Sequence, residues 1–171
     1  MIIRTELPTD HRAVCELTYQ AFGKRKDESE LIDRIRKSSG FIPELSIVAE
    51  EDEEIVGHIL LSKAKVIGDT GDHEVIVLAP VAVHPSYQKK GVGSKLIEEG
   101  LNRVKALNYG LVLLIGHPSY YLRFGFKPAR QYGLELHQFN VPDEVFMVCE
   151  LNEGELNRIH GELRYPSAFF E

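Results

Sequence analysis

Apolar positions along the chain change period several times, and each change marks an element. From Val75 to Val83 the run is almost unbroken, as expected of a strand buried on both faces. Beyond a turn carrying Gly91 and Gly93, positions Val92, Leu96, Ile97, Leu101 and Val104 recur at helical spacing until Asn108 and Gly110, which can stop a helix. Leu111 to Ile115 is a second apolar strand. The segment therefore reads strand, helix, strand, with a right-handed crossover if the strands pair in parallel.

Upstream, Met1 to Arg4 opens a strand, and Val14, Leu17, Ala21 and Phe22 give helical spacing over Asp10 to Phe22 after an entry at Pro8-Thr9. Asp27-x-x-Glu30 reads as a capping-box variant that opens a second helix, with Leu31, Ile32 and Ile35 on its buried side and Ser38-Ser39-Gly40 closing it. Leu45 to Ala49 and Ile55 to Ala64 read as strands, and Gly68 to His73 as a polar loop. Downstream, Leu134 to Phe139 and Val145 to Leu151 predict further strands, followed by Asn152 to Gly161 and a short apolar stretch at Leu163 to Phe170. There are no internal repeats or low-complexity tracts. The pattern predicts one α/β domain over residues 1–171, its core ending at about residue 145, with a mixed, mainly antiparallel sheet.

Composition narrows the class. A chain of 171 residues with 43% hydrophobic content can bury a sizeable core. No apolar run approaches the roughly 18 residues of a membrane span, and the N-terminus lacks a secretory pattern, so the expectation is a cytoplasmic protein without a membrane partner. Cys15 and Cys149 are too few for a disulfide framework and read as small core residues. The seven histidines include no pair at i, i+4 spacing, so no metal is expected. A net charge of −6 disfavours nucleic acid and mildly suits a cationic amine. The acidic run Glu50 to Glu54 lies between two strands and reads as a solvated hairpin turn.

The glycine turn is the candidate for chemistry. Placed between a strand and a helix, it makes an anion cradle: the first free N–H groups of the helix point into the turn, the helix dipole adds roughly half a positive charge, and Lys89, Lys90 and Lys95 lie close by. A Walker loop is excluded because Gly93 is followed by Ser94-Lys95 in reverse order and Gln88 stands where its first glycine belongs. A dinucleotide fingerprint is excluded because Leu96 replaces its third glycine.

What remains, Gln88-Lys89-Lys90-Gly91-Val92-Gly93, resembles the acetyl-CoA pyrophosphate loop of the GNAT N-acetyltransferase superfamily. A second string, Tyr121-Leu122-Arg123-Phe124-Gly125-Phe126, resembles the later signature of that superfamily, about 30 residues downstream and in the right order. The fuller strings from Leu78 to Pro85 and from Gly116 to Ala129 are similar to the YhbS-like branch of predicted acetyltransferases. The resemblance implies a GNAT-like sheet with a splayed central strand flanked by helices, and acetyl-CoA as acyl donor for an amine acceptor. Pro80 fits it, since proline cannot donate to a ladder and forces a bulge or a parting of strands.

By the same resemblance, the backbone of Val81, Ala82 and Val83 would hold the donor's pantetheine arm and thioester carbonyl, and Gln88, Lys89, Lys90, Gly91, Val92, Gly93 and Ser94 its pyrophosphate. Tyr121 matches the tyrosine that protonates the departing thiolate, with Tyr120 next to it as the competing assignment. No inherited base is evident, because the strands that would carry one offer Val77 and Leu113. Glu74 and His117 are the candidates, and direct attack by an already neutral amine is the alternative. A non-catalytic acyl-CoA sensor remains a second reading. Acceptor identity and homodimer formation stay open, because acceptor pockets would be built from Phe22 to Phe41 and the C-terminal strands.

Overall fold

The structure, a computed structural model, describes residues 1–171. In chain order it contains β1 (Ile2–Thr5), α1 (His11–Ala21), α2 (Asp27–Arg36), β2 (Ser46–Glu51), β3 (Glu54–Gly68), β4 (Gly71–Val83), α3 (Val92–Ala106), β5 (Leu111–Ile115), α4 (Pro118–Tyr121), β6 (Phe126–Pro128), β7 (Leu134–Leu136), β8 (Phe146–Glu150), α5 (Glu155–Arg158) and β9 (Gly161–Arg164). The strands form one sheet in the order β1-β2-β3-β4-β5-β8-β6. All pairs along this path are antiparallel except β4 with β5, the parallel pair expected of the strand, helix, strand unit. After Leu60, where the pairing with β2 stops, β9 takes over the same edge of β3, pairing at Lys65 to Ile67, and β7 adds to β9 in parallel.

Helix α3 covers one face of the sheet. Leu96, Ile97 and Val104 are fully buried there, each contributing about 1.5–3 kcal/mol by leaving water. The helix lies close because Gly57 of β3 and Gly100 of α3 leave room: a Cβ at Gly57 would sit 2.8 Å from Val92, and one at Gly100 2.9 Å from Leu61. On the opposite face α1 and α2 place Val14, Ile32 and Ile35 against Val48 and Leu60. A buried polar knot lies on this side. Ser46 Oγ donates to Glu6 Oε1 at 2.9 Å and lies 2.9 Å from His58 Nε2, so the imidazole donates from Nε2 and leaves Nδ1 bare. Arg36 pairs with the same Glu6 carboxylate. Burial pushes the His58 pKa down to about 4.

Several expectations change in detail. The Gly68 to His73 loop is a tight hairpin instead, because β3 and β4 pair out to Gly68 and Gly71. Helix α2 starts at Asp27 with Lys26 as its helical cap residue, so the Asp27-x-x-Glu30 box does not form; the two acids instead complement the helix dipole. Cys149 is buried, but Cys15 is exposed on the outer side of α1. The acidic run does form the β2–β3 turn, with Asp52 and Glu53 at positive φ.

Candidate active site

The site begins as a defect in pairing. Ile59 faces Val81 and Leu61 faces Leu78, so two residues of β3 span three of β4, and the extra residue falls at Ala79-Pro80. On its other side β4 pairs with β5 only at Ile76 and Val77, while β5 continues along β8 to Ile115. Beyond Val77 the two parallel strands part. The His84 N–H donates to Val56 C=O at 2.8 Å, and Ala82 pairs with His58. Because amide directions alternate along a strand, the N–H groups of Val81 and Val83 point into the gap.

The gap runs into the turn before α3. Gly91 adopts the left-handed conformation (φ 85°) as cap residue, and Lys95 N–H is the first to find a helical acceptor, Gly91 C=O at 3.1 Å. The amides of Val92, Gly93 and Ser94 are therefore left for a ligand. Gln88 ties the loop to the open edge, its side-chain amide donating to Val83 C=O at 3.1 Å. Together these residues line a cleft of about 410 Å³, completed by Tyr87, Lys89, Tyr120 and Arg123.

The two adjacent tyrosines address different parts of this cleft. The Tyr120 hydroxyl lies against the α3 N-terminus, 2.7 Å from where a Cβ of Gly93 would be. Tyr121 instead packs edge-on against Tyr120 and Phe126, and its ring closes on Gly116 at the end of β5, where a Cβ would come within 2.5 Å. It sits on the β5 side of the parting strands and does not line the cleft around the glycine turn. Burial pushes the Tyr121 pKa up to about 12, which keeps its phenol protonated.

A backbone edge left open beside a bulge, feeding a glycine-capped helix N-terminus, is the arrangement the two sequence signatures implied. The chain matches the acetyltransferase (GNAT) domain over residues 3–129. It belongs to the GNAT acetyltransferase family. The uncharacterized N-acetyltransferase YhbS of Escherichia coli K12 is 31% identical to it over 170 residues, covering 99% of this chain and 98% of YhbS. The uncharacterized N-acetyltransferase YjhQ of the same strain is 35% identical over 121 residues, 71% of this chain and 66% of YjhQ. The crystal structure of E. coli YhbS in complex with CoA matches with a TM-score of 0.91 at 29% identity, covering 99% and 92% of the two chains. A GNAT acetyltransferase from Brucella melitensis in complex with acetyl-CoA matches with a TM-score of 0.78 at 30% identity, covering 98% and 97%.

Within this GNAT fold several expected site residues fall elsewhere. Glu74 is at the far end of β4, seven residues from Val81 and so about 20 Å away along the strand. It accepts a hydrogen bond from the Tyr109 hydroxyl at 2.8 Å and lies 3.9 Å from Lys63, which excludes it from the cleft. His117 is at the correct end of the sheet, as the exposed cap residue of α4, but does not line the cleft. Ala82 turns its amide toward β3. Lys90 does not line the cleft itself; its Nζ lies 5.5 Å from the ring centroid of Tyr87, which does. No Asp, Glu or His lines the cleft. Arg123 and Tyr87 were not among the expected residues; the spacing of Arg123, one helical turn after Tyr120, is the signal that could have found it. No helix is long and apolar enough to cross a membrane.

Proposed function

We propose that the protein transfers an acetyl group from acetyl-CoA to a primary amine by direct attack while both are bound. The observation that carries this reading is the open edge of β4 running into the Gly91 turn. The site fits the donor, since the outward amides of Val81 and Val83 suit an extended arm with its own amides, and the free amides of Val92 to Ser94 suit a diphosphate. The donor supplies an acyl carbon already activated as a thioester. The chain's part is to align it and to manage one proton at each end.

The Val81 to Val83 edge orients the arm and offers N–H groups to the carbonyl oxygen as it gains negative charge. Tyr121 donates its phenolic proton to the departing sulfur, a role supported by its position at the end of β5 and by a pKa near 12 that keeps the proton in place at neutral pH. The amine attacks in its neutral form and releases its proton to water, a reading supported by strands β4 and β5 offering only apolar Val77 and Leu113 where a base would stand. Thiol release from acetyl-CoA, measured against polyamines, aminoglycosides, lysine side chains and peptide N-termini, tests this. At least one amine should be acetylated, at a rate that climbs with pH to the acceptor's own pKa and then stays level. Tight acetyl-CoA binding without turnover on any amine would overturn the reading.

A further inference from the structure

Arg123 is kept apart from every carboxylate in an acidic protein. Seven of the ten arginines pair with an Asp or Glu; Arg12, Arg34 and Arg123 do not, and of these only Arg123 lines the cleft, its one hydrogen bond running from Nε to Tyr120 C=O at 3.2 Å. Its guanidinium lies over the Tyr120 ring, Cζ 4.3 Å from the centroid, and 5.2 Å from that of Phe124. Stacking fixes the plane of the group and leaves its terminal N–H donors free. The same ring carries the hydroxyl that abuts Gly93, and Arg123 lines the same cleft as Gly91, Gly93 and Ser94. Lys89 is the other cation in that lining, and it too makes no ion pair. A cation that is stacked, unneutralised and shares a cleft with an array of free amides is complementary to a dianion.

We propose that Arg123 forms the second wall of the donor's phosphate site: its guanidinium donates to diphosphate oxygens held from the other side by the amides of Val92 to Ser94, and Tyr120 is the platform that orients it. The proposal rests on the acetyl-CoA reading and deepens it. The diphosphate is the group addressed, because Arg123 is coupled through Tyr120 to the helix N-terminus, where the free amides converge.

Truncated ligands separate this role from simple packing. Calorimetry with CoA and with dephospho-CoA, and ligand-observed NMR with pantetheine, are applied to wild type, Arg123→Gln, Arg123→Lys and the remote control Arg158→Gln. Arg123→Gln should weaken CoA and dephospho-CoA alike, by about 10- to 100-fold, the range for a lost hydrogen bond to a charged group, and leave pantetheine unchanged. It should also flatten the salt dependence of CoA binding. Arg123→Lys should recover part of the loss as a point charge without the fork. An equal loss on pantetheine would make Arg123 a packing residue, and a loss seen with CoA but not dephospho-CoA would move its contact to the 3′-phosphate; either overturns the proposal. If wild type binds none of the three ligands, the donor reading fails, and the Arg123 role with it.

Discussion

The two edges of β4 behave in opposite ways. Toward β3 the strand is paired from Gly71 to Val83, interrupted only at the Ala79-Pro80 bulge. Toward β5 it is paired at two residues and then released. One edge holds the fold together and the other is left with unmet amides that a ligand can meet. The comparison teaches that here structure and function divide across a single backbone, so side chains facing the closed edge should govern stability and those around the open edge should govern catalysis.

The largest expected effect tests the open edge. Tyr121→Phe keeps the ring that packs on Phe126 and Gly116 but removes the proton donor, so turnover should fall by about 10²- to 10⁴-fold with acetyl-CoA affinity and melting temperature nearly unchanged. Tyr132→Phe, outside the cleft, is the control; Tyr120→Phe is not, since its hydroxyl adjoins Gly93. Turnover retained in Tyr121→Phe and lost in Tyr120→Phe would transfer the role to the neighbour.

On the closed edge, His58 should change stability alone. Its pKa is about 4 in the fold against 6.5 when exposed, so between these values the unfolded chain binds a proton that the native state refuses. Stability is complete above about pH 6.5 and declines as pH falls toward 4, by about 3 kcal/mol. Denaturant titrations of wild type and His58→Gln over this interval should show the slope only in wild type. Asp10, whose carboxyl the Arg4 guanidinium holds below its usual range, acts at still lower pH and does not obscure the comparison. An imidazole that titrates near 6.5 by NMR would contradict the account.

A smaller effect returns to the open edge. In Gly93→Ala the new methyl touches Val83 at an ordinary 3.7 Å and displaces only the Tyr120 hydroxyl, 2.7 Å away at the far end of its side chain, while alanine favours the helix by up to about 1 kcal/mol. The protein should be as stable as wild type or slightly more so, while CoA affinity drops about tenfold because the methyl intrudes among the cradle amides. Unchanged affinity would place the phosphates elsewhere.

What could be read from the sequence was what lies contiguous along it. The apolar run of β4, the Gly91 turn, the α3 periodicity and the Tyr121 to Phe126 string occupy neighbouring stretches, so their spacing already encoded their geometry. Glu74 was misplaced because being on the right strand does not say at which end of it the chemistry occurs. Ala82 failed for a similar reason, since amide alternation depends on which partner strand claims the first bond. Tyr120 and Tyr121 sit side by side on a single helical turn, and only the packing of one on Gly93 and the other on Gly116 separates them. The knot of Glu6, Arg36, Ser46 and His58 joins residues more than 50 positions apart and left no local signal.

The parted strands also carry a consequence for how the protein survives heat. A molecule that fills the gap supplies the pairing that β5 withholds, so it acts as a removable strand of the sheet. At a concentration 100 times its dissociation constant such a molecule would raise the unfolding free energy by about 2.7 kcal/mol. With the acyl donor as that molecule, resistance to heat should rise with donor concentration, and a thermal melt at increasing acetyl-CoA reads that rise directly.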